Sequence, residues 1–144
     1  HDTWMGWREL AAEVEELAAR HPEAFVFAAD GYKTTAELRF YTDLPVYGMD
    51  VIGWDALQYG LEGHDLGALA GRDAFFLRSE PKLRPGDETE CYLTRVRGYF
   101  QRVEELPPVE VRRRGEVVRL LRVFRAEGYL GPEPPGVGRL PAVC

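Results

Sequence analysis

The sequence predicts an α/β domain: a small sandwich with a partly parallel sheet, begun by a helix–strand–helix–strand run and ended by a C-terminal antiparallel hairpin. Three observations predict it. Apolar residues recur at three- and four-residue spacing through Trp7, Leu10, Ala11, Val14, Leu17 and Ala18, the stripe of an amphipathic helix. The uninterrupted apolar runs Phe25–Ala29 and Ala74–Leu77 suit strands covered on both faces, as in a parallel sheet. Two further strand-like runs, Val109–Arg113 and Val117–Ala126, flank Arg114-Gly115-Glu116, which reads as a hairpin.

The elements follow in order. Asp2 or Thr3 is placed to cap the first helix. His21-Pro22 ends it, because the residue before proline is pushed out of the α region. Asp30-Gly31 breaks the first strand, and Tyr32 to Tyr41 reads as a second helix. Thr42 to Pro45 is a loop, and Val46 to Met49 a second strand. Strand–helix–strand with so short a crossover implies a parallel unit. Trp54, Leu57, Gln58 and Leu61 have helical spacing, weakened by three glycines between Val51 and Gly63. Leu66 to Ala70 is a short helix closed by Gly71. Ser79 to Pro85 reads as a loop. Asp87 with Glu90 resembles a capping box for a helix through Cys91, Leu93, Thr94 and Val96 to Gly98. Tyr99 to Leu106 is a further strand. In the last strand Val118, Leu120, Arg122 and Phe124 do not alternate cleanly with polar residues, which a central position or a bulge would explain.

Size and composition bound the function. A chain of 144 residues is one domain by the usual prior, and it buries roughly 70% of its unfolded surface without needing a staple. The domain is expected over 1–130. Residues 131–144 hold four prolines and three glycines and read as a disordered or linker tail. The net charge of −6 argues against a nucleic-acid partner. The arginines at 112–114, 119, 122 and 125 are offset by Glu104, Glu105, Glu110, Glu116 and Glu127, as on a solvated hairpin face. Nowhere do about 18 apolar residues run together, so nothing in this stretch spans a membrane. The chain opens without methionine or a visible signal peptide and reads as a piece of a longer protein.

No complete catalytic constellation emerges. Ser79 is the sole serine and has no evident histidine partner, and the three histidines are scattered. No phosphate loop or dinucleotide fingerprint is present. Neither metal nor cofactor is expected. Cys91 and Cys144 lack zinc spacing; Cys91 reads as a buried small hydrophobe, and Cys144 has no assigned partner. Two groups remain as ligand contacts. Asp30, Tyr32, Lys33 and Thr34 sit where the first strand feeds the next helix, the position at which open α/β sheets bind ligands. Asp30 would equally serve as a helix cap and Tyr32 as a packed ring. Trp54, Gln58 and Tyr59 offer an aromatic-plus-amide surface that stacks on sugars, or simply fills a core.

Gly6-Trp7-Arg8-Glu9-Leu10, Phe25-Val26-Phe27, Ala36 to Tyr41 before Pro45-Val46-Tyr47, Gln58-Tyr59 and Gly71 to Phe76 together resemble one region of a bacterial family. That region is the C-terminal extracytoplasmic domain of family 39 integral-membrane glycosyltransferases, the protein O-mannosyltransferase-like and aminoarabinose-transferase-like enzymes. The strands around Val117 to Tyr129 fit the same pattern, so the resemblance covers roughly residues 4 to 130. It implies a soluble domain held at the outer face of the cell membrane by transmembrane helices of the same polypeptide. It implies a parent enzyme that moves a sugar from a polyprenyl-phosphate donor to a protein or lipid acceptor. The family's catalytic acid lies in a loop without counterpart here, so the fragment is expected to be inactive alone. Two other readings stand beside it: a free-standing module for a small polar or sugar ligand, and a protein-interaction domain using the basic hairpin.

Overall fold

The computed structural model describes residues 6–29, 33–54, 65–80 and 88–144. Among them a helix α1 (Trp7–Arg20) leads into strand β1 (Phe25–Ala28), helix α2 (Lys33–Tyr41) and strand β2 (Val46–Tyr47). Strand β3 (Ala74–Glu80), helix α3 (Thr89–Tyr99) and the long strands β4 (Phe100–Arg113) and β5 (Glu116–Tyr129) follow. The strands form one mixed sheet in the order β2-β1-β3-β5-β4. β1 pairs in parallel with β2 and β3, while β5 runs antiparallel to both β3 and β4. The mixed α/β class, the helix–strand start and the closing hairpin are as the sequence predicts.

Side-chain alternation divides the interior in two. Phe25, Phe27, Ala74, Phe76, Phe124 and Ala126 point into a core shared with Leu93, Val96 and Tyr99 of α3. Val26, Phe75, Leu77, Leu121 and Val123 point into a core shared with Trp7, Leu10, Ala11 and Val14 of α1 and Leu38 of α2. This explains the uninterrupted apolar runs, since a strand buried on both faces has no solvent side to be polar on. The imperfect alternation of β5 has the same cause: it is central, between β3 and β4. The α3-side core is largely aromatic. The Phe27 ring lies 5.1 Å from that of Phe76 and 5.7 Å from that of Phe100, and Phe100 lies 5.1 Å from Tyr129.

Several boundaries differ from expectation. α1 is capped by Gly6, at φ 84°, whose carbonyl accepts from the Leu10 N–H at 3.0 Å. Asp2 and Thr3 lie outside the described residues. A side chain on Gly6 would stand 3.1 Å from Cβ of Arg119, so both backbone conformation and space favour glycine there. β2 stops at Tyr47, because the chain turns into the single-turn helix Met49–Ile52 to bury Val51 and Ile52. β3 runs on through Ser79 and Glu80, which pair with Leu121 and Leu120 of the long β5. The start of α3 is Thr89, after Glu88, which makes no side-chain cap bond. Asp87 lies outside the described residues. The two segments expected at Tyr99–Leu106 and Val109–Arg113 form one strand, β4, with a register shift between Leu106 and Val109. Pro107 and Pro108 have no N–H to give a ladder, and an edge strand with a bulge tolerates that. Arg114 and Gly115 at the hairpin tip both have positive φ, 54° and 81°, the signature of a tight two-residue turn.

The outer edges are closed to further pairing. β2 has two residues, and the Arg39 guanidinium donates to the Val46 carbonyl at 2.9 and 2.5 Å. β4, the other edge, carries charges and two prolines, the devices that deter edge-to-edge association.

The segment from Gly131, read in the sequence as a linker tail, folds back instead. Val137 and Leu140 pack against the α3-side core, and Cys144 is disulfide-bonded to Cys91. The half-buried Cys91 is therefore a cross-link and not an inert small hydrophobe. Spacing could not reveal this pairing because the partners lie 53 residues apart.

Truncating the ring stack tests the aromatic core. Phe27→Ala should lower the unfolding free energy by roughly 3–5 kcal/mol in urea titrations followed by circular dichroism. A loss below about 0.5 kcal/mol, the scale of ordinary surface changes, would place Phe27 outside the packed interior.

Candidate functional site

The carboxyl ends of the parallel strands gather the polar side chains with the most unusual surroundings. α2 opens there with Lys33, exposed, then Thr34 and Thr35, both buried. From β5 comes Arg119, paired with Val111 of β4 and next to Leu120, which faces Glu80 at the end of β3. Arg119 is only 1% exposed. Its guanidinium lies 5.3 Å from the centre of the Trp7 ring, a contact worth about 2 kcal/mol when desolvated. Glu37, one turn along α2, is close enough to Lys33 and Arg119 to feel both charges. Burial is nonetheless the larger influence and holds its carboxyl above the ordinary value of 4.5.

Among the described residues, three side-chain atoms here are buried without a hydrogen-bond partner: Trp7 Nε1, Thr35 Oγ1 and Glu37 Oε2. Each such atom costs roughly 1–3 kcal/mol. The set offers an indole donor, a hydroxyl, and a carboxyl that keeps its proton to higher pH than usual. These groups suit contact with a polar ligand. Asp30 and Tyr32, expected in this same place, lie outside the described residues.

Trp54 belongs to the other face. It packs half-buried against the α3-side core, edge-on to Tyr92 at 5.4 Å and under the Arg95 guanidinium at 5.0 Å. Arg95 donates to the Ile52 carbonyl at 2.6 Å, and a side chain on Gly53 would collide with the Tyr99 hydroxyl. Gln58 and Tyr59 lie outside the described residues. The sheet therefore separates Trp54 from Lys33 and Thr34, so the described members of the two predicted groups lie on opposite faces. Also on the α3 face, Arg78 and Arg122 stand directly opposite across β3 and β5, an arrangement that repels unless each charge is engaged. Arg78 lies 4.3 Å from the Tyr92 ring, and Arg122 forms a bidentate pair with Glu105 at 2.9 and 3.0 Å. The Tyr129 hydroxyl donates to the Val51 carbonyl at 2.7 Å. Burial, with Tyr99 and Asp50 nearby, raises its pKa strongly.

The basic hairpin is mostly the solvated, paired surface that the sequence predicts. Arg112 pairs with Glu110, Arg113 with Glu9, and Arg125 with Asp73. The first two are exposed and contribute about 0–1 kcal/mol each, while Arg125–Asp73 is half-buried. Arg119 is the correction: an arginine expected on the solvated face lies in the interior. The sequence signal for it is real but faint. In Val117-Val118-Arg119-Leu120-Leu121 a single charge interrupts an apolar run in a strand that is buried on both sides.

Two shallow grooves lie elsewhere. One, of about 390 Å³, is lined by Ala18, Pro22, Phe25, Leu44, Tyr47 and Arg72 at the amino end of β1. Another, of about 260 Å³, runs between α1 and β4 beside Leu106 and Pro107. Among the described residues, neither lining includes Lys33, Thr34 or Trp54. Among the described residues no cluster of three His, Cys, Asp or Glu side chains could hold a metal ion, and no helix is long and apolar enough to cross a membrane. No family model, curated protein or solved structure matches the chain.

Glu37 gives a pH test of this cluster. A carboxyl whose folded pKa is raised contributes its full stability below its unfolded value of 4.5. That contribution is lost as the pH rises through the folded value. Glu37→Gln removes the loss. Its melting temperature should match wild type near about pH 4 and exceed it near about pH 7. A variant that melts lower than wild type by one constant margin at every pH would contradict burial as the cause.

Proposed function

We propose that this chain is the non-catalytic, extracytoplasmic accessory domain of a membrane glycosyltransferase of the family 39 type. The parent would move a sugar from a polyprenyl-phosphate donor to a protein or lipid acceptor. The domain would sit on the outer face of the membrane, tethered by transmembrane helices of its own polypeptide, and contact acceptor, donor or the membrane-embedded part. The reading rests on the resemblance of the opening run. The structural observation that carries it is the Cys91–Cys144 disulfide, because such bonds persist in oxidising compartments and are rare in the cytosol. The buried polar set around Trp7, Thr35, Glu37 and Arg119 supports a contact role. It supplies donors and one carboxyl, without a nucleophile poised against a base.

A second reading, a free-standing module for a small polar or sugar ligand, draws support from the unpartnered Trp7 Nε1 and Thr35 Oγ1. The parent reading frame and the in-cell state of the two cysteines separate the readings. The accessory-domain reading expects several apolar segments of about 20 residues ahead of residue 1. It also expects Cys91 and Cys144 to resist alkylation in intact cells until a reductant is added. A frame without such segments, whose cysteines react freely in cells, would overturn it.

A further inference from the structure

The C-terminal segment 131–144 lies across α3 as a strap, and its attachments are few. Pro134 is buried, and Leu140 fills the notch left by the missing side chain of Gly98, where a Cβ would stand 2.5 Å from Leu140 Cδ1. Among the described residues the strap's backbone hydrogen bonds stay inside it, from Arg139 N–H to Gly136 O and from Leu140 N–H to Val137 O. No ladder ties it to the sheet. Its link to the body is Arg95, 7% exposed, whose Nη1 donates to the Pro141 carbonyl at 2.5 Å. The Nε of the same guanidinium donates to the Ile52 carbonyl, and the group lies over the rings of Trp54 and Tyr99 at 5.0 and 5.7 Å. Arg95 thus clasps the strap on one side and the Met49–Ile52 turn on the other. The covalent fastening is Cys91–Cys144, with Cys144 exposed and Cys91 half-buried.

We propose that residues 131–144 form a thiol-operated strap. Reduction of Cys91–Cys144 by a dithiol releases it from α3 and uncovers the Arg95–Trp54 surface, while the sheet stays folded. The chemistry is ordinary exchange. One thiolate of the dithiol attacks the exposed Cys144 sulfur, and the S–S bond breaks. Cys91 leaves as a thiolate and takes up a proton. The second thiol of the reductant then attacks the mixed disulfide and frees Cys144 as a thiol. Two electrons and two protons pass to the protein, and the reductant becomes a disulfide. Without the cross-link, the buried Pro134, the packed side chains of Val137 and Leu140 and one arginine bond hold a segment half composed of proline and glycine. Segments with so few buried contacts open locally long before the whole domain does. Once Pro141 departs, Nη1 of Arg95 is free above the indole of Trp54, whose Nε1 is buried without an acceptor. This inference does not depend on the glycosyltransferase reading.

Hydrogen exchange read by mass spectrometry tests it, with the chain compared before and after dithiothreitol at constant pH. Amides of 137–144 should exchange at least about tenfold faster after reduction, while those of β1, β3 and β5 keep their rates. Cys144→Ser should show the fast strap without reductant. Leu140→Ala, left oxidised, keeps the tether, so its strap should exchange more slowly than that of the reduced wild type. Strap rates unchanged by both reduction and Cys144→Ser would overturn the proposal. So would a loss of protection in β1, β3 and β5 together with the strap, or a Cys144→Ser chain that does not fold, since either makes the disulfide a staple for the whole domain.

Discussion

Burial of the sheet on both faces is the constraint on which the rest of this structure depends. β1, β3 and β5 each send alternate side chains into two separate cores, one under α1 and α2, the other under α3. Neither core can form alone, because each strand must fill both at once. Burying one large apolar side chain contributes about 1.5–3 kcal/mol, and a strand such as Phe25–Ala28 commits all of its positions. A one-residue slip would exchange the two sets and put Phe27 where Val26 belongs. Helix positions follow from this. α1 covers one face with Trp7, Leu10, Ala11 and Val14, and α3 covers the other with Leu93, Val96 and Tyr99.

Against this apolar frame, arginine does most of the joining. Only two of the 18 basic residues are lysines. Genomic base composition alone would account for such a skew, yet several arginines hold defined interior positions. Arg39 closes the sheet edge at Val46, Arg95 binds two carbonyls from distant segments, Arg78 lies on Tyr92, and Arg119 lies on Trp7. A planar guanidinium can stack on a ring and donate in its own plane at the same time, which an ammonium cannot do. Burying such a charge costs several kcal/mol before its contacts are counted. Arg119, 1% exposed, therefore marks the place where the domain accepts a cost that an apolar residue would avoid. It is also where the parallel strands end and α2 begins, so the fold and the candidate contact site share one residue.

Much of the fold was legible because it rests on local pattern. The stripe from Trp7 to Ala18, the blunt end at His21-Pro22 and the hairpin tip at Arg114-Gly115 each carry their own cause in neighbouring residues. What the sequence hid depends on partners far along the chain. β3 extends through Ser79 because β5 is long enough to pair with it, and β4 passes Pro107-Pro108 unbroken because it is an edge. Gly6 begins α1 because its backbone has positive φ and Arg119 crowds the place of a side chain. The Cys91–Cys144 bond joins two points brought together by the return of the C-terminal segment over α3. The candidate site was half legible. Position at a strand end pointed to Lys33 and Thr34, but Trp7, Glu37 and Arg119 come from three elements, and no spacing rule connects them. Trp54 lies across the sheet from Lys33 and Thr34, because it packs on the α3-side core while α2 packs on the other.

Arg119, Leu121 and Val123 of β5 face α1, so that a charged side chain is buried against Trp7. The nuclear Overhauser spectrum of the folded chain tests it most directly. Cross-peaks are expected between the Trp7 indole ring protons and the side-chain methylenes of Arg119, together with slow exchange of the Trp7 Nε1 proton. A Trp7 indole that exchanges freely with water and shows no contact to Arg119 would contradict it.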